Sequence, residues 1–75
     1  MDIEARLRAL ESRYRQTLSA TVAAKALYLA LLDEPNSTST AVKRAREQWE
    51  TFDARKHGIA ARMGEIEDLE HNLIV

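Results

Sequence analysis

Two histidines in the sequence stand one helical turn away from carboxylates, a pattern that metal sites in helical bundles use. His57 follows Asp53 by four residues, and His71 follows Glu67 by four and Asp68 by three. On a helix these spacings place the side chains on one face, and di-metal bundles combine acid and histidine ligands at such intervals. Both histidines, however, fall outside the apolar repeat described below. We therefore expect them to face water, and we expect neither a metal nor any other cofactor.

Lys56 is the residue best placed to act as a base or nucleophile, because it falls inside the apolar repeat of the second half of the chain. Burial can lower the pKa of a lysine enough for that role. A polar residue at one position of a helical seam more often specifies register, and the long lysine stem can also reach solvent. The sequence offers Lys56 no pocket, acid partner or oxyanion donor, so we expect no enzymatic activity.

Three basic residues, Lys43, Arg44 and Arg46, form the densest cationic cluster. In a symmetric dimer they would be doubled, which could create a phosphate-binding patch for RNA or DNA. No aromatic residue is interleaved on the exposed face to stack on bases. The net charge of the chain is -1, with 11 basic and 12 acidic residues, so no overall field attracts nucleic acid. Nucleic acid is therefore an alternative partner and not the expected one.

The composition describes a chain too short to build a large core. It has 75 residues and no cysteine, so disulfides cannot compensate, and oligomerisation is the usual remaining aid besides a metal. The absence of cysteine fits a reducing compartment, and the charged N-terminal segment does not have the pattern of a secretion signal. We expect a cytoplasmic protein. The longest apolar stretch, residues 20–32, is too short to span a membrane, for which about 20 residues are needed.

One stretch interrupts an otherwise helical sequence: "DEPNSTST", residues 33–40, which contains the only proline. Pro35 disfavours helical geometry at the residue before it. Four hydroxyl residues that follow could each cap a second helix; they are Ser37, Thr38, Ser39 and Thr40. The sequence thus predicts a single all-α domain over residues 1–75, with a helix over about 2–33, a loop over about 34–39 and a helix over about 39–72.

Both predicted helices carry apolar residues at alternating spacings of three and four, the pattern of helices packed along their length. In the first helix this seam comprises Ile3, Leu7, Leu10, Tyr14, Thr17, Thr21, Ala24, Tyr28 and Leu31. In the second it comprises Val42, Ala45, Trp49, Phe52, Lys56, Ile59, Met63, Ile66, Glu70 and Leu73. The expected core of the hairpin consists of Leu7, Leu10, Tyr14, Tyr28, Trp49, Phe52, Ile59, Met63 and Ile66. Gly58 and Gly64 fall outside the seam, and Gly64 could allow close approach of a neighbouring helix.

A short connection between two helices of equal length predicts an antiparallel hairpin. If the turn is centred near residues 36 and 37, residues whose numbers sum to about 73 should face each other. Trp49 should then meet Ala23 and Ala24, Phe52 should meet Ala20 and Thr21, and Tyr28 should meet Ala45. The charges agree, because arginines near the start lie opposite acidic residues near the end; they are Arg6, Arg8, Arg13 and Arg15 on one side and Glu65, Glu67, Asp68 and Glu70 on the other.

The first helix also carries a second apolar line, which we call the α1 stripe: Leu18, Val22, Leu29 and Leu32, interrupted by Lys25. The stripe lies on a face rotated away from the seam, so a single partner helix cannot cover both. A second copy of the hairpin, related by a two-fold axis, would cover it and produce a four-helix bundle. We therefore expect a homo-oligomer, with a dimer as the first expectation.

The function expected from this architecture is that of a small accessory protein that self-associates and binds or regulates another protein. Two alternatives stay open. The chain could be a chaperone-like subunit of a hetero-complex, whose leucine-rich face covers a helix of an as yet unidentified protein, or a small nucleic-acid-binding regulator. The apolar tail, residues 72–75, could either cap the end of the bundle or fray.

Overall fold

The computed structural model describes residues 2–74, apart from the side chains of residues 70, 73 and 74. It contains two α-helices, α1 (Ile3–Asp33) and α2 (Ser39–Ile74), which pack against each other along their length. The predicted antiparallel hairpin is confirmed, with α2 extending two residues beyond the expected end at residue 72. The predictions made for the side chains of Glu70 and Leu73, and for most of the apolar tail, fall outside the described residues.

The ends of α1 follow from local chemistry. Its first turn is capped by Asp2, whose Oδ1 accepts a hydrogen bond from the Ala5 amide at 3.3 Å. At the other end Glu34 has extended backbone geometry, with φ -86° and ψ 120°, and its amide donates to the Leu31 carbonyl at 3.3 Å. The extended geometry is what the following Pro35 requires, because the proline ring clashes with a helical residue before it. The proline therefore ends the helix.

The connection between the helices is a tight turn followed directly by a cap. The Ser37 amide donates to the Glu34 carbonyl at 3.2 Å, which places Pro35 at the second position of a β-turn. Among the described residues none has positive φ, so the turn is of type I and needs no glycine. Thr38 caps α2, since its Oγ1 accepts from the Ala41 amide at 3.1 Å. Of the four candidate hydroxyls, Thr38 is the one used.

Among the described residues, the seam forms the core of the hairpin. Every seam position whose side chain is described is buried or half-buried, including all nine residues of the expected hairpin core. The buried apolar residues are few and mostly small, namely Leu10, Ala24 and Ala45, and no described side chain is completely enclosed. Thr21 is buried as well, and its hydroxyl donates to the Thr17 carbonyl at 2.7 Å. This bond removes most of the cost of burying a polar atom within the seam.

The largest side chains of the seam pack close to the turn. The rings of Tyr28 and Trp49 stack with their centroids 5.7 Å apart and an angle of 17° between their planes. The pairing of residue numbers predicts Ala45 opposite Tyr28, one helical turn away from Trp49. The difference arises because helical side chains lean toward the N-terminus of their own helix. In antiparallel helices the two rings therefore lean toward each other and overlap. Phe52 lies beside Ala20 and Ala24 in a shallow groove, so that a large side chain meets small ones as expected.

The hairpin is a rod of 58 × 15 × 15 Å. Its radius of gyration is 17.0 Å, against about 11 Å for a compact domain of the same length. A rod two helices wide has a core one seam deep, so each helix presents most of its circumference to the surroundings. The outer surface therefore decides what the molecule can bind.

Candidate interaction surfaces

The α1 stripe is exposed along the half of α1 nearest the turn. The exposed fraction is 38% for Leu18, 61% for Val22, 51% for Leu29 and 53% for Leu32. Leu18 and Val22 also line a shallow apolar groove together with Ala23 and Ala26. Scattered exposed leucines are common on proteins, but a continuous apolar face is typical of an interaction surface.

Lys25, which interrupts the stripe in the sequence, reaches toward α2 in the structure. Its Nζ lies 5.5 Å from the centre of the Trp49 ring, within the range of a cation–π contact. The ammonium group thus covers one side of the Tyr28–Trp49 stack. Because the charged end is turned toward the neighbouring helix, the interruption of the stripe is smaller than the sequence indicates.

Leu27 is an exposed apolar residue that is not part of the predicted stripe. It is 51% exposed and lines the groove that also contains Phe52 and Gln48. Leu29 is two positions after Leu27, which on a helix amounts to a rotation of about 200°. The two leucines therefore lie on nearly opposite sides of α1. The sequence does contain a signal for the exposure of Leu27: in the segment "KALYLALL", residues 25–32, apolar residues occupy every face of the helix. The half of α1 nearest the turn is therefore apolar on both flanks of the seam.

The three basic residues near the start of α2 do not form one patch. Lys43 and Arg46 line the same depression near the turn, together with Tyr28 and Leu32. Arg44 is rotated about 100° from Lys43 on the helix and about 160° from Arg46. Arg46 also forms an ion pair with Glu50, with 3.2 Å between Nε and Oε1. A single hairpin thus presents two of these cations in one place, one of them already paired with a carboxylate.

Asp53 contacts two basic side chains of α2. The Lys56 Nζ lies 3.1 Å from Oδ1, and the His57 Nε2 lies 3.3 Å from Oδ2. The expectation that Lys56 has no acid partner is therefore wrong, because the flexible stem of Lys56 bends out of the seam to the neighbouring turn. The hydrogen bond from Lys56 lowers the pKa of Asp53 below its usual range, with partial desolvation opposing and the nearby charges of Lys56 and His57 adding to the effect.

The histidines face water. The His57 side chain is 71% exposed, and His71 is exposed as well, as their positions outside the seam predict. Neither of these histidines lines a groove between the helices. Among the side chains that the structure describes, no three histidine or carboxylate groups come together as a metal site would require. The cluster at Asp53 is thus a network of two ion pairs on α2, with a half-buried Lys56 and an exposed His57.

Another groove lies between the helices at the end opposite the turn, and we call it the open-end groove. Its floor is formed by Leu10, Ile66 and Leu69, of which Leu69 is 59% exposed. Its walls carry Arg6, Arg13 and Arg62, with Glu65 as the acidic lining residue. Leu69, like Leu27, is outside every predicted core or interface set, because it flanks the seam instead of lying on it.

The expected charge pairing across the hairpin is only partly correct. The arginines of α1 and the acidic residues of α2 do lie at the same end, as the antiparallel direction requires. Among the described residues, however, the ion pairs within 4 Å all lie inside α2. Arg6 and Arg13 share their edge of the hairpin with Arg62, whereas Glu67 projects from the other side of Ile66. Residue numbers predict how far along the rod two residues lie, but they do not predict on which side of the hairpin each side chain projects.

Comparison of the chain with protein-family models, with curated proteins and with solved structures gives no significant match. Neither helix, over the residues described, has a stretch long and apolar enough to cross a bilayer. The class that the fold defines is the antiparallel helical hairpin, and the features that distinguish this one are its two exposed apolar flanks and its open-end groove.

Proposed function

We propose that the chain is a non-enzymatic helical hairpin that dimerises through the α1 stripe into a four-helix bundle and serves as an accessory protein that binds or regulates another protein. The observation that carries the proposal is the exposure of Leu18, Val22, Leu29 and Leu32 on one side of α1. In a dimer α1 would contact its own α2 through the seam and the partner's α1 through the stripe.

The accessible surface of the isolated hairpin supports this proposal. It measures 5869 Å², whereas a monomeric globular protein of 8.5 kDa has about 4,650 Å². The excess is about 1,200 Å² per chain, and a protein–protein interface of standard size buries about 800 Å² on each partner. A single two-fold contact would thus bring the exposed area per chain close to that of an ordinary small protein.

The chemistry of the stripe favours a second copy as the occupant. Its members are aliphatic, and Lys25 is directed toward Trp49, so a two-fold contact would place apolar groups against apolar groups. None of the four members carries a charge, and the burial of an unpaired charge is the usual obstacle to self-association. Leucine and valine at the seams between the helices are the normal filling of a four-helix bundle.

The first test is the molar mass in solution, measured by light scattering after size exclusion over a range of concentrations. The dimer would have twice the 8.5 kDa of the chain. Leu18→Glu combined with Leu29→Glu should give the mass of a monomer. Ser12→Glu combined with Gln16→Glu is the matched control, because it adds the same charge to exposed positions of α1 outside the stripe. A double stripe variant that retains both the dimer and its stability would contradict the proposal.

A hetero-complex is the second candidate, and Leu27 is the observation that favours it. A two-fold contact on the α1 stripe leaves this leucine on the other flank, together with its groove beside Phe52. A chaperone-like subunit would use such a groove to hold a helix of another protein. In that case the isolated chain would aggregate or remain a monomer, and it would become well behaved on co-expression with the protein it binds.

The remaining parts of the proposal are a cytoplasmic location and binding of protein instead of nucleic acid. The absence of cysteine supports the first, since it suits a reducing compartment. The divergence of Lys43, Arg44 and Arg46 around α2 supports the second. Nucleic-acid binding that weakens steeply with salt, and that is lost when the three are replaced together, would overturn it.

A further inference from the structure

We infer that the open-end groove is a docking site for an acidic amphipathic helix of another protein. The inference deepens the proposed function, because it gives the chemical class of the partner. It concerns a surface at the opposite end of the rod from the α1 stripe, and each of the two can be measured without the other.

The floor of the groove matches the apolar side of a helix. Within this floor Leu10 is buried, at 9% exposure, whereas Leu69 is 59% exposed and is open to a partner. Ile66 is half-buried between the helices. The arginine stems add aliphatic surface to the walls, since their charged ends reach for solvent. A leucine of the partner helix would be surrounded by these groups.

The walls select the charge of the partner. Arg6 and Arg13 line one wall and Arg62 the other, and none of the three has a carboxylate of the described residues within 4 Å. Guanidinium groups bind carboxylates with two parallel hydrogen bonds, which are among the strongest in proteins. Among the described side chains, Glu65 is the one acidic residue that lines the groove, against three arginines, so these walls carry an excess of positive charge.

The spacing of the arginines fits a helix lying along the groove. Arg6 and Arg13 are two helical turns apart, about 10.5 Å along α1. Arg62 lies across the groove from them. A partner helix with leucines spaced three and four residues apart and glutamates on both flanks would place its carboxylates beside both walls.

Two other occupants fit less well. A second copy of this chain would have to supply an exposed apolar line flanked by carboxylates, but the α1 stripe has Arg15 beside it and Lys25 within it. A nucleic-acid backbone would match the arginines and leave the apolar floor unmatched. Charge and apolar character together therefore point to an acidic helix.

The experiment uses the full chain and a labelled peptide of about 20 residues, long enough to form a helix on binding, with leucines on one face and glutamates on the flanks. Fluorescence anisotropy should show binding that weakens at high salt. A peptide with lysine in place of glutamate, or with serine in place of leucine, should bind at least tenfold more weakly. Absence of binding, or equal binding of the lysine peptide, would refute the inference.

Variants of the protein locate the site. Arg13→Glu combined with Arg62→Glu should weaken binding of the glutamate peptide more than tenfold, and so should Leu69→Ser. Arg8→Glu combined with Arg44→Glu is the control, because it changes the net charge equally with one exposed substitution on each helix, outside the groove. Equal losses in the control pair would mean that binding depends on net charge alone, which overturns the assignment. Circular dichroism verifies that each variant remains helical.

The mass of each variant separates this inference from the proposed dimer. If the inference is right, the groove variants should keep the mass of the unmodified chain, and the stripe variant Leu18→Glu with Leu29→Glu should still bind the peptide. A fall in mass caused by Arg13→Glu with Arg62→Glu would make the groove a contact between copies and would overturn the inference. A monomeric unmodified chain that binds the peptide would disprove the dimer alone.

Discussion

Replacing Leu29 by alanine tests the α1 stripe with a magnitude that can be worked out in advance. Alanine removes three side-chain carbons, each contributing about 0.8 kcal/mol when fully buried. Leu29 is 51% exposed in the hairpin. Roughly half of that contribution, about 1.2 kcal/mol per chain, is therefore gained only when the dimer forms. A two-fold interface contains the residue twice, so the loss is roughly 2.4 kcal/mol, equivalent to a rise of about 50-fold in the dimer Kd.

The assay is sedimentation equilibrium, or light scattering, over a concentration range that covers the dissociation of the dimer. Circular dichroism at the same concentrations separates loss of assembly from loss of folding. Substitution of leucine by alanine does not weaken the helix itself, because alanine has the higher helix propensity.

Leu27→Ala is the matched control, because Leu27 lies on the same helix with the same exposed fraction of 51%, but on the opposite flank. We expect its dimer Kd to change by less than a few fold. Two outcomes would refute the reasoning. A Kd that Leu29→Ala leaves unchanged would show that the stripe is not the interface, and an equal change in both variants would show that the effect is general destabilisation.

Further predictions concern stability. Thr38→Ala should cost about 1 kcal/mol and lower Tm by about 4–8 °C, whereas Thr40→Ala, inside α2, should not lower Tm; equal losses in thermal unfolding would disprove the cap assignment. Gly64→Ala should raise the free energy of unfolding by roughly 0.5–1 kcal/mol, because a Cβ there meets no heavy atom within 4 Å. A lower urea midpoint would reveal a contact at this glycine outside the hairpin. The depressed pKa of Asp53 contributes stability that is present above its ordinary value of 3.8 and is lost as the pH falls through the lower folded-state pKa. Asp53→Asn should therefore be less stable than the unmodified chain near pH 6, and the difference should disappear in acid; a constant difference across an acid titration would argue against the pairing with Lys56.

The fold could be predicted from the sequence because the seam repeats without a break on both sides of one proline. Spacing alone places a residue such as Leu10 in the core, since a regular helix returns the same face to its neighbour every seven residues. The cap could not be selected in the same way. Thr38 and the neighbouring serines and threonine have similar preferences for the N-cap position. Which of them caps α2 depends on the residue at which the type I turn ends.

The interaction surfaces were harder to predict, because they depend on side-chain direction. The predicted α1 stripe omits Leu27, which flanks the seam on the other side and belongs to no single line of apolar residues. Lys25 interrupts the stripe in the sequence pattern, but in the structure its side chain extends toward Trp49. The arginines of the open-end groove were expected to pair with acidic residues because both lie at the same distance along the rod. The side of the hairpin from which each side chain projects decides which residues it contacts, and residue numbers alone do not give that side.

The position of the Tyr28–Trp49 stack close to the turn also predicts an order of folding. These two residues are much closer in sequence than the residues that meet at the open end, and closing the shorter segment of chain costs less entropy. We expect the two helices to make contact first at the aromatic pair, and contacts to form afterwards along the seam toward Leu10 and Ile66. Opening should run the other way, so amide hydrogens near the open-end groove should exchange sooner than those beside Trp49. The end of the rod that we expect to bind a partner is thus also the end at which the two helices separate most readily. A partner helix bound there would hold α1 and α2 together.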